Sequence, residues 1–577
     1  MEIPYIPKDA PYSGDQKAWL SGFLAGLHSR LVIGDNQNNY NTQKTELKPI
    51  DILYGTQTGN SEEVANDAAD IARNRGYQPR VAELDSVDLK QLSNMERALI
   101  VVSTYGEGEM PDNGQLFWDA ISASTAPRLE SLEYGVIGLG DTSYEFFCQA
   151  GKLIDTRLEQ LGAHRFASRL DCDVEFEEPS KNWILENLPE VGIADSKISF
   201  DDSPKPKWNR KNPYAAEVIE NTNLSGETSA KEIRHIAISL PKEELSYQTG
   251  DALAVVPENS PELVKLWIDA LKLDSNSNID GYERTLGDLL THSFEISTPS
   301  KDFIRGIEPL LKNDQFTRLV NDEDNAPLQR FLWGKDCLDL IQLSEKISFD
   351  INELLNWLKP LKHRAYSISS SPLANESEVH LTVAAVRWNH NDRRHHGVCS
   401  TYLADMCPAG ELTEVFTLPN KAFRIPADDS DSMIMVGPGT GVAPFRAFLQ
   451  ERQERGASGF NWLFFGDQHR KCDFIYESEI TQMFKSGLLD RLDLAFSRDQ
   501  KEKVYVQHKM LESGKDIYAQ LMDGAYFYVC GDASRMAKDV DFALHNIVEI
   551  HGGLSPEDAA AFIDGLKREK RYLRDVY

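Results

Sequence analysis

Residues 49–75 read PIDILYGTQTGNSEEVANDAADIARNR, and the way this stretch divides decides the fold. PIDILY has the length and apolar content of a buried strand. Gly55-Thr56-Gln57-Thr58-Gly59-Asn60 is a turn of glycines, hydroxyls and amides, and SEEVANDAADIARNR reads as a helix. The same strand-then-helix alternation recurs through RVAELD, RALIVVST, YGVIGLG and RFASRLD. Five such repeats between 49 and about 188 predict a doubly wound parallel sheet.

Working outward, residues 190–212 are polar and proline-bearing and read as a linker. Short β-like runs follow at 213–260 and 360–425, among them RHIAISL, AYSISS and HLTVAAVRW. The amphipathic stretch at about 261–358 between them is helical in pattern, so the whole is expected to be a β-barrel interrupted by a helical insertion. From 430 the chain returns to strand–helix alternation in SMIMVG, NWLFFG, RLDLAFS and AYFYVCG. Upstream, residues 13–32 place Leu20, Phe23, Leu24, Leu27 and Leu31 at helical intervals behind a Ser13/Gln16 capping box. The expected division is an N-terminal extension at 1–45, domains at 46–189, 213–428 and 429–577, and the linker at 190–212.

The 577 residues carry a formal charge of −30, which argues against nucleic acid or an anionic membrane as the main partner. Seven scattered cysteines with no CxxC spacing read as reduced thiols, without a disulfide framework or a zinc or iron–sulfur ligand set. The first residues lack a signal-peptide pattern, and no stretch approaches 18 uninterrupted apolar residues. A soluble protein of a cytosol-like compartment, with no membrane anchor and no metal site, is expected.

Three loops fall at one edge of the first sheet, where open α/β sheets bind ligands. Thr56, Gln57, Thr58, Gly59 and Asn60 form an anion cradle at a helix N-terminus, and no Walker lysine is present for transferring the phosphate. Ser103-Thr104-Tyr105-Gly106 and Leu139-Gly140-Asp141-Thr142-Ser143-Tyr144-Glu145-Phe146-Phe147-Cys148 each add an aromatic and several backbone amides. Tyr105 and Tyr144 could sandwich a planar ring, or could simply pack on each other as turn tyrosines.

Taken together the three loops resemble flavodoxin-type FMN domains, and GLGDTSYEFFC is similar to the sulfite reductase branch of the diflavin reductases. The resemblance implies FMN at 56–60, 103–106 and 139–148. Arg364-Ala365-Tyr366-Ser367 resembles the RxYS signature of ferredoxin–NADP reductase-like FAD domains. That implies Arg364 on the pyrophosphate, Tyr366 on the ring and Ser367 near N5. It extends to Thr382, Val383 and Ala384 and to a second pyrophosphate loop, Gly397-Val398-Cys399-Ser400.

GPGTGVAPFR at 437–446, with Gly439 and Thr440, departs from GxGxxG but matches that family's nicotinamide loop. Ser497, Arg498, Lys503, Tyr505 and Gln507 gather two cations, a hydroxyl and a phenol after one strand, which suits a 2′-phosphate and hence NADPH over NADH. Asp467, which could be taken for an NAD-selecting acid, is not read so. In the family Asp539 also contacts the coenzyme, Cys530 lies beside the nicotinamide, and a terminal aromatic covers the FAD ring near an aspartate, here Tyr577 and Asp575.

The resemblance covers about 45–577. It implies an NADPH-dependent diflavin reductase passing electrons from NADPH to FAD to FMN and on to a separate haem protein. The sirohaem subunit of assimilatory sulfite reductase is the expected acceptor. A soluble reductase for a cytochrome P450-type protein and a non-enzymatic flavin-binding protein are the alternatives. Residues 1–45 offer a surface for oligomerisation or partner docking, or pack on the first domain. Residues 51–200 hold 27 Asp+Glu against 12 Lys+Arg. Glu107, Glu109, Asp141 and Glu145 fall at the flavin rim, where they are expected to steer a basic acceptor.

Overall fold

A computed structural model describes residues 47–57, 59–106, 108–142, 144, 146–191, 207–241, 243–322, 324–344 and 350–577. The helix expected at 13–32, most of the linker, Thr58, Glu107, Ser143 and Glu145 lie outside the described residues.

The first sheet has six parallel strands: β1 (Lys48–Gly55), β2 (Tyr77–Glu83), β3 (Arg97–Ser103), β4 (Glu133–Leu139), β5 (His164–Arg165) and β6 (Leu170–Cys172). They run in the order β2-β1-β3-β4-β5, with β6 also on β4. Helices cover both faces, so central strands must be apolar throughout. In β3, Ala98 to Val102 are at most 2% exposed. The strand expected over RFASRLD is interrupted. Between its two short pieces the chain leaves the sheet, and Arg165 and Arg169 reach the buried Asp155 carboxylate at 2.6 and 2.7 Å.

The second unit is antiparallel: β7 (Tyr214–Asn223), β8 (Ile233–Ser239), β9 (Ala252–Val256), β10 (Arg364–Ser367), β11 (Glu378–Ala384) and β12 (Leu412–Leu418). The order β10-β9-β12-β7-β8-β11 closes through a bridge between Ile368 and Leu381, making the barrel. The insertion is helical, from Pro261–Leu271 to Ile351–Trp357, around the buried Trp267 and Phe303. HLTVAAVRW is not one strand. β11 stops at Ala384 and a separate ribbon pairs Arg387–His390 with Arg393–His396. Its turn residues, Asn391 and Asp392, have φ of 49° and 61°, the left-handed pair a tight hairpin demands.

The third sheet is parallel: β13 (Met433–Val436), β14 (Asn461–Asp467), β15 (Arg491–Phe496), β16 (Tyr526–Gly531) and β17 (Tyr572–Val576). Its order is β15-β14-β13-β16-β17. The C-terminal residues, which are not among the strand runs expected from sequence, form a sheet strand, with Cys530 opposite Asp575 in register.

Candidate functional site: two clefts joined by the last strand

The turn after β1 is braced from within. Thr56 Oγ1 accepts from the Gly59 and Ser61 amides at 2.9 and 3.4 Å, and Gln57 is bonded to Asp112. Gly59 has φ 90°, which glycine adopts without strain, and the buried Ser61 hydroxyl has no hydrogen-bond partner among the described residues. These features fit a phosphate at the start of helix Asn60–Asn74. A Cβ on Gly140 would stand 2.8 Å from the Cys148 amide, so the loop after β4 needs glycine for its close approach.

The expected Gln57, Asn60, Ser103, Thr104, Tyr105, Gly106, Leu139, Gly140, Asp141, Tyr144, Phe147 and Cys148 all line one cleft of about 700 Å³. Tyr144 is exposed on its rim. Tyr105 is half-buried, and its hydroxyl donates to the Val576 carbonyl of β17. Burial pushes the Cys148 thiol well above its ordinary range, so this residue packs rather than titrates.

On the barrel, Arg364 is partly exposed, 3.6 Å from Glu295. Gly397 opens the helix Val398–Thr401, and its Cβ would meet the Ser400 hydroxyl at 2.8 Å. An exposed guanidinium beside a tight glycine loop fits a pyrophosphate. Tyr366 is half-buried, and Cys399 is sealed behind it. Thr382 and Val383 are buried in β11, and Ala384 is exposed at its end. The Thr382 hydroxyl lies 2.8 Å from the Tyr476 hydroxyl, in a polar cluster between barrel and third sheet.

A second cleft of about 700 Å³ lies at the C-terminal ends of β13 to β16. Gly439, Thr440, Ser497, Arg498, Lys503, Tyr505, Gln507, Asp539 and Tyr577 line it, as expected. Neither Arg498 nor Lys503 forms a salt bridge among the described residues, so two cations stand available for a phosphate. Sequence reasoning missed Lys231, which enters this cleft from the barrel. Its ammonium lies 2.5 Å from Asp467 Oδ1, so that acid is engaged by a lysine 236 residues away. Nothing local in the sequence signals such a pairing.

The four residues expected at the hydride-transfer position converge. Asp575 Oδ2 accepts from the Ser367 hydroxyl at 2.5 Å and lies 3.8 Å from the Cys530 sulfur. Burial raises the Asp575 carboxyl, opposed by the hydrogen bonds from Ser367 and Cys530. Burial likewise lifts the Cys530 thiol, with Asp575 adding to the effect. Tyr577 is 60% exposed and borders both clefts, its hydroxyl 2.9 Å from Thr440 Oγ1.

Three family models match in succession: Flavodoxin over residues 52–183, FAD binding domain over 206–402, and Oxidoreductase NAD-binding domain over 435–541. The chain is similar along its length to the sulfite reductase [NADPH] flavoprotein alpha-component of Bacillus subtilis (strain 168), 40% identical, with 97% of this chain and 95% of the relative covered. The protein of the same name from Vibrio cholerae serotype O1 (strain ATCC 39315 / El Tor Inaba N16961) is 39% identical, with 98% and 94% covered.

Proposed function

The chain belongs to the family of sulfite reductase [NADPH] flavoprotein alpha-components, and from that premise we propose that it supplies electrons from NADPH to a haem-containing sulfite reductase subunit. It is an NADPH-dependent diflavin oxidoreductase with FMN, FAD and NADPH as its cofactors. NADPH supplies a hydride, FAD takes the electron pair, and FMN releases electrons one at a time.

The observation that carries the reading is the last strand. It sets Asp575 against Ser367 and Cys530 and places Tyr577 where both clefts meet. In this reading Ser367 and Asp575 hold a proton on a shared hydrogen bond beside the reacting atoms, and Cys530 closes the site from water. Tyr577, whose hydrogen bonds among the described residues go to Thr440, Gly531 and Ala533, gives way to the nicotinamide. Arg498 and Lys503 hold the 2′-phosphate, with Ser497, Tyr505, Gln507 and Asp539 around it. Thr56 to Asn60, with the loops at 103–106 and 139–148, hold FMN. Arg364 to Ser367, Thr382 to Ala384 and Gly397 to Ser400 hold FAD.

The functional units are 46–189, 213–428 and 429–577. Residues 1–45 are assigned to oligomerisation or partner docking, and the protein to the cytoplasm. No helix among the described residues is long and apolar enough to cross a membrane.

The test is reconstitution of the flavin-loaded chain with a sirohaem sulfite reductase subunit. NADPH-dependent sulfide formation is expected. Ready reduction of cytochrome c without any electron transfer to the sirohaem subunit would refute the acceptor assignment.

A further inference from the structure

The first cleft is not lined by its own domain alone. Pro360, Leu361, Lys362 and His363 reach it from the barrel. Lys362 precedes β10 by two residues, and its ammonium pairs with Asp141 in the loop after β4. Both side chains are largely buried, 23% and 21% exposed, so salt screens this pair less than one on the open surface. His363 packs edge-on against Phe416 with ring centroids 4.9 Å apart. Burial, with Arg210, Arg364 and Lys362 nearby, pulls its imidazole down to about 4, so it is neutral near pH 7. Among the barrel residues that line this cleft, Lys362 is the one that carries a charge.

The sign of that charge would matter for a flavin bound in this cleft. An isoalloxazine that takes up two electrons and one proton ends one unit more negative than it began. Neighbouring cations favour that product and neighbouring anions oppose it. The first domain by itself offers acids, with 27 Asp+Glu against 12 Lys+Arg over residues 51–200. Across the boundary the cleft gains cations instead. Besides Lys362 on Asp141, Lys538 reaches Glu109 at 3.1 Å and Arg210 reaches Glu177 at 3.5 Å.

We infer that Lys362 sets the electron affinity of the flavin in the first cleft, so that a residue of the second domain tunes the cofactor of the first. With Lys362 in place FMN accepts electrons readily; with it removed, FMN becomes the stronger reductant. The inference rests on the flavin assignment proposed above.

The experiment is a spectroelectrochemical titration of the full-length chain loaded with both flavins, without coenzyme. The FMN midpoint potential of Lys362→Gln is expected to shift to more negative values. Lys362→Arg, which keeps the charge, is expected to stay near wild type. Lys421→Gln removes the 2.7 Å pair with Glu62, which joins the same two domains outside the cleft, and should also stay near wild type. An unshifted Lys362→Gln overturns the inference, as does an equal shift in Lys421→Gln, which would trace the effect to domain contact. A chain that takes up no FMN defeats the flavin assignment itself, and this inference with it.

Discussion

At the scale of single residues, the sequence named Arg498 and Lys503 of the coenzyme cleft and missed Lys231, and only the structure separates the available charges from the engaged ones. Asp467 and Lys231 neutralise each other, whereas Arg498 and Lys503 form no salt bridge among the described residues. Arg498→Ala should therefore weaken NADPH binding by about 1.5–3 kcal/mol, the range for a charged hydrogen bond, and leave NADH nearly unchanged. Titration with both coenzymes checks this, and equal losses would reject the contact. Buried histidines give a second residue-scale consequence. His235 is 8% exposed, with its Nδ1 2.9 Å from the Tyr476 hydroxyl, and burial lowers its imidazole to about 3. The folded chain then refuses a proton that the unfolded chain accepts near pH 6.5. Stability from this group is full above about pH 6.5 and falls as pH drops toward 3, with a limiting slope of about 1.4 kcal/mol per pH unit. His235→Gln should flatten the decline of melting temperature between pH 6.5 and 4. An unchanged slope would show that the imidazole is not kept neutral by the fold.

At the scale of elements, legibility followed locality. The turn after β1, the RAYS strand and the GPGTG loop each carry their chemistry within about ten residues, and each was readable. β17 was not, because RYLRDVY has neither alternation nor length. It becomes a strand only because β16 offers it an edge, a pairing between segments 45 residues apart. The ribbon at 387–396 was missed for a different reason. Its signal, Asn391-Asp392 between short β-like runs, was present but masked by the apolar continuity of HLTVAAV with RW. The GPGTG loop also shows what a glycine does for an element. A Cβ on Gly441 would stand 2.1 Å from the Cys530 carbonyl oxygen, a backbone atom that cannot rotate away. Gly441→Ala should force β13 and β16 apart, costing about 1–3 kcal/mol and most of the NADP⁺ affinity. Gly565→Ala is the matched control. It lies within helix Pro556–Arg568 with nothing within 4 Å of its Cβ, and should raise stability by about 0.5–1 kcal/mol. Calorimetric melts of the two variants should move in opposite directions, and a Gly441→Ala protein as stable as wild type would contradict the close approach.

At the scale of the whole molecule, the charge excess of the first domain has a use the sequence reading did not anticipate. Glu109 and Asp141, expected to face an incoming acceptor, are paired within the chain; Glu107 and Glu145 lie outside the described residues. Among the described residues, seven ion pairs cross from the first domain, and all seven have the acid on its side. Glu62 meets Lys421, Glu83 meets Lys570, Glu109 meets Lys538, Asp112 meets Arg574, Asp141 meets Lys362, Asp173 meets Lys359 and Glu177 meets Arg210. Most are at least partly open to solvent, where a single pair contributes about 0–1 kcal/mol, so no one pair holds the domains together. Their sum still reaches a few kcal/mol, and it weakens as salt rises because ion pairs open to solvent are screened. The Arg574 pair has the most structural leverage. It sits on β17 one residue before Asp575, and Tyr105 donates to Val576 on the same strand. Rising salt should therefore enlarge the radius of gyration of the full chain in small-angle scattering. Arg574→Glu, which sets two like charges facing each other, should produce that expansion already at low salt. Electron transfer from NADPH as far as FAD, read by flavin bleaching under single turnover, should change little, while FMN reduction slows. A molecule whose dimensions stay constant from low to high salt, in wild type and in Arg574→Glu alike, would mean that apolar contact rather than charge keeps the first domain seated.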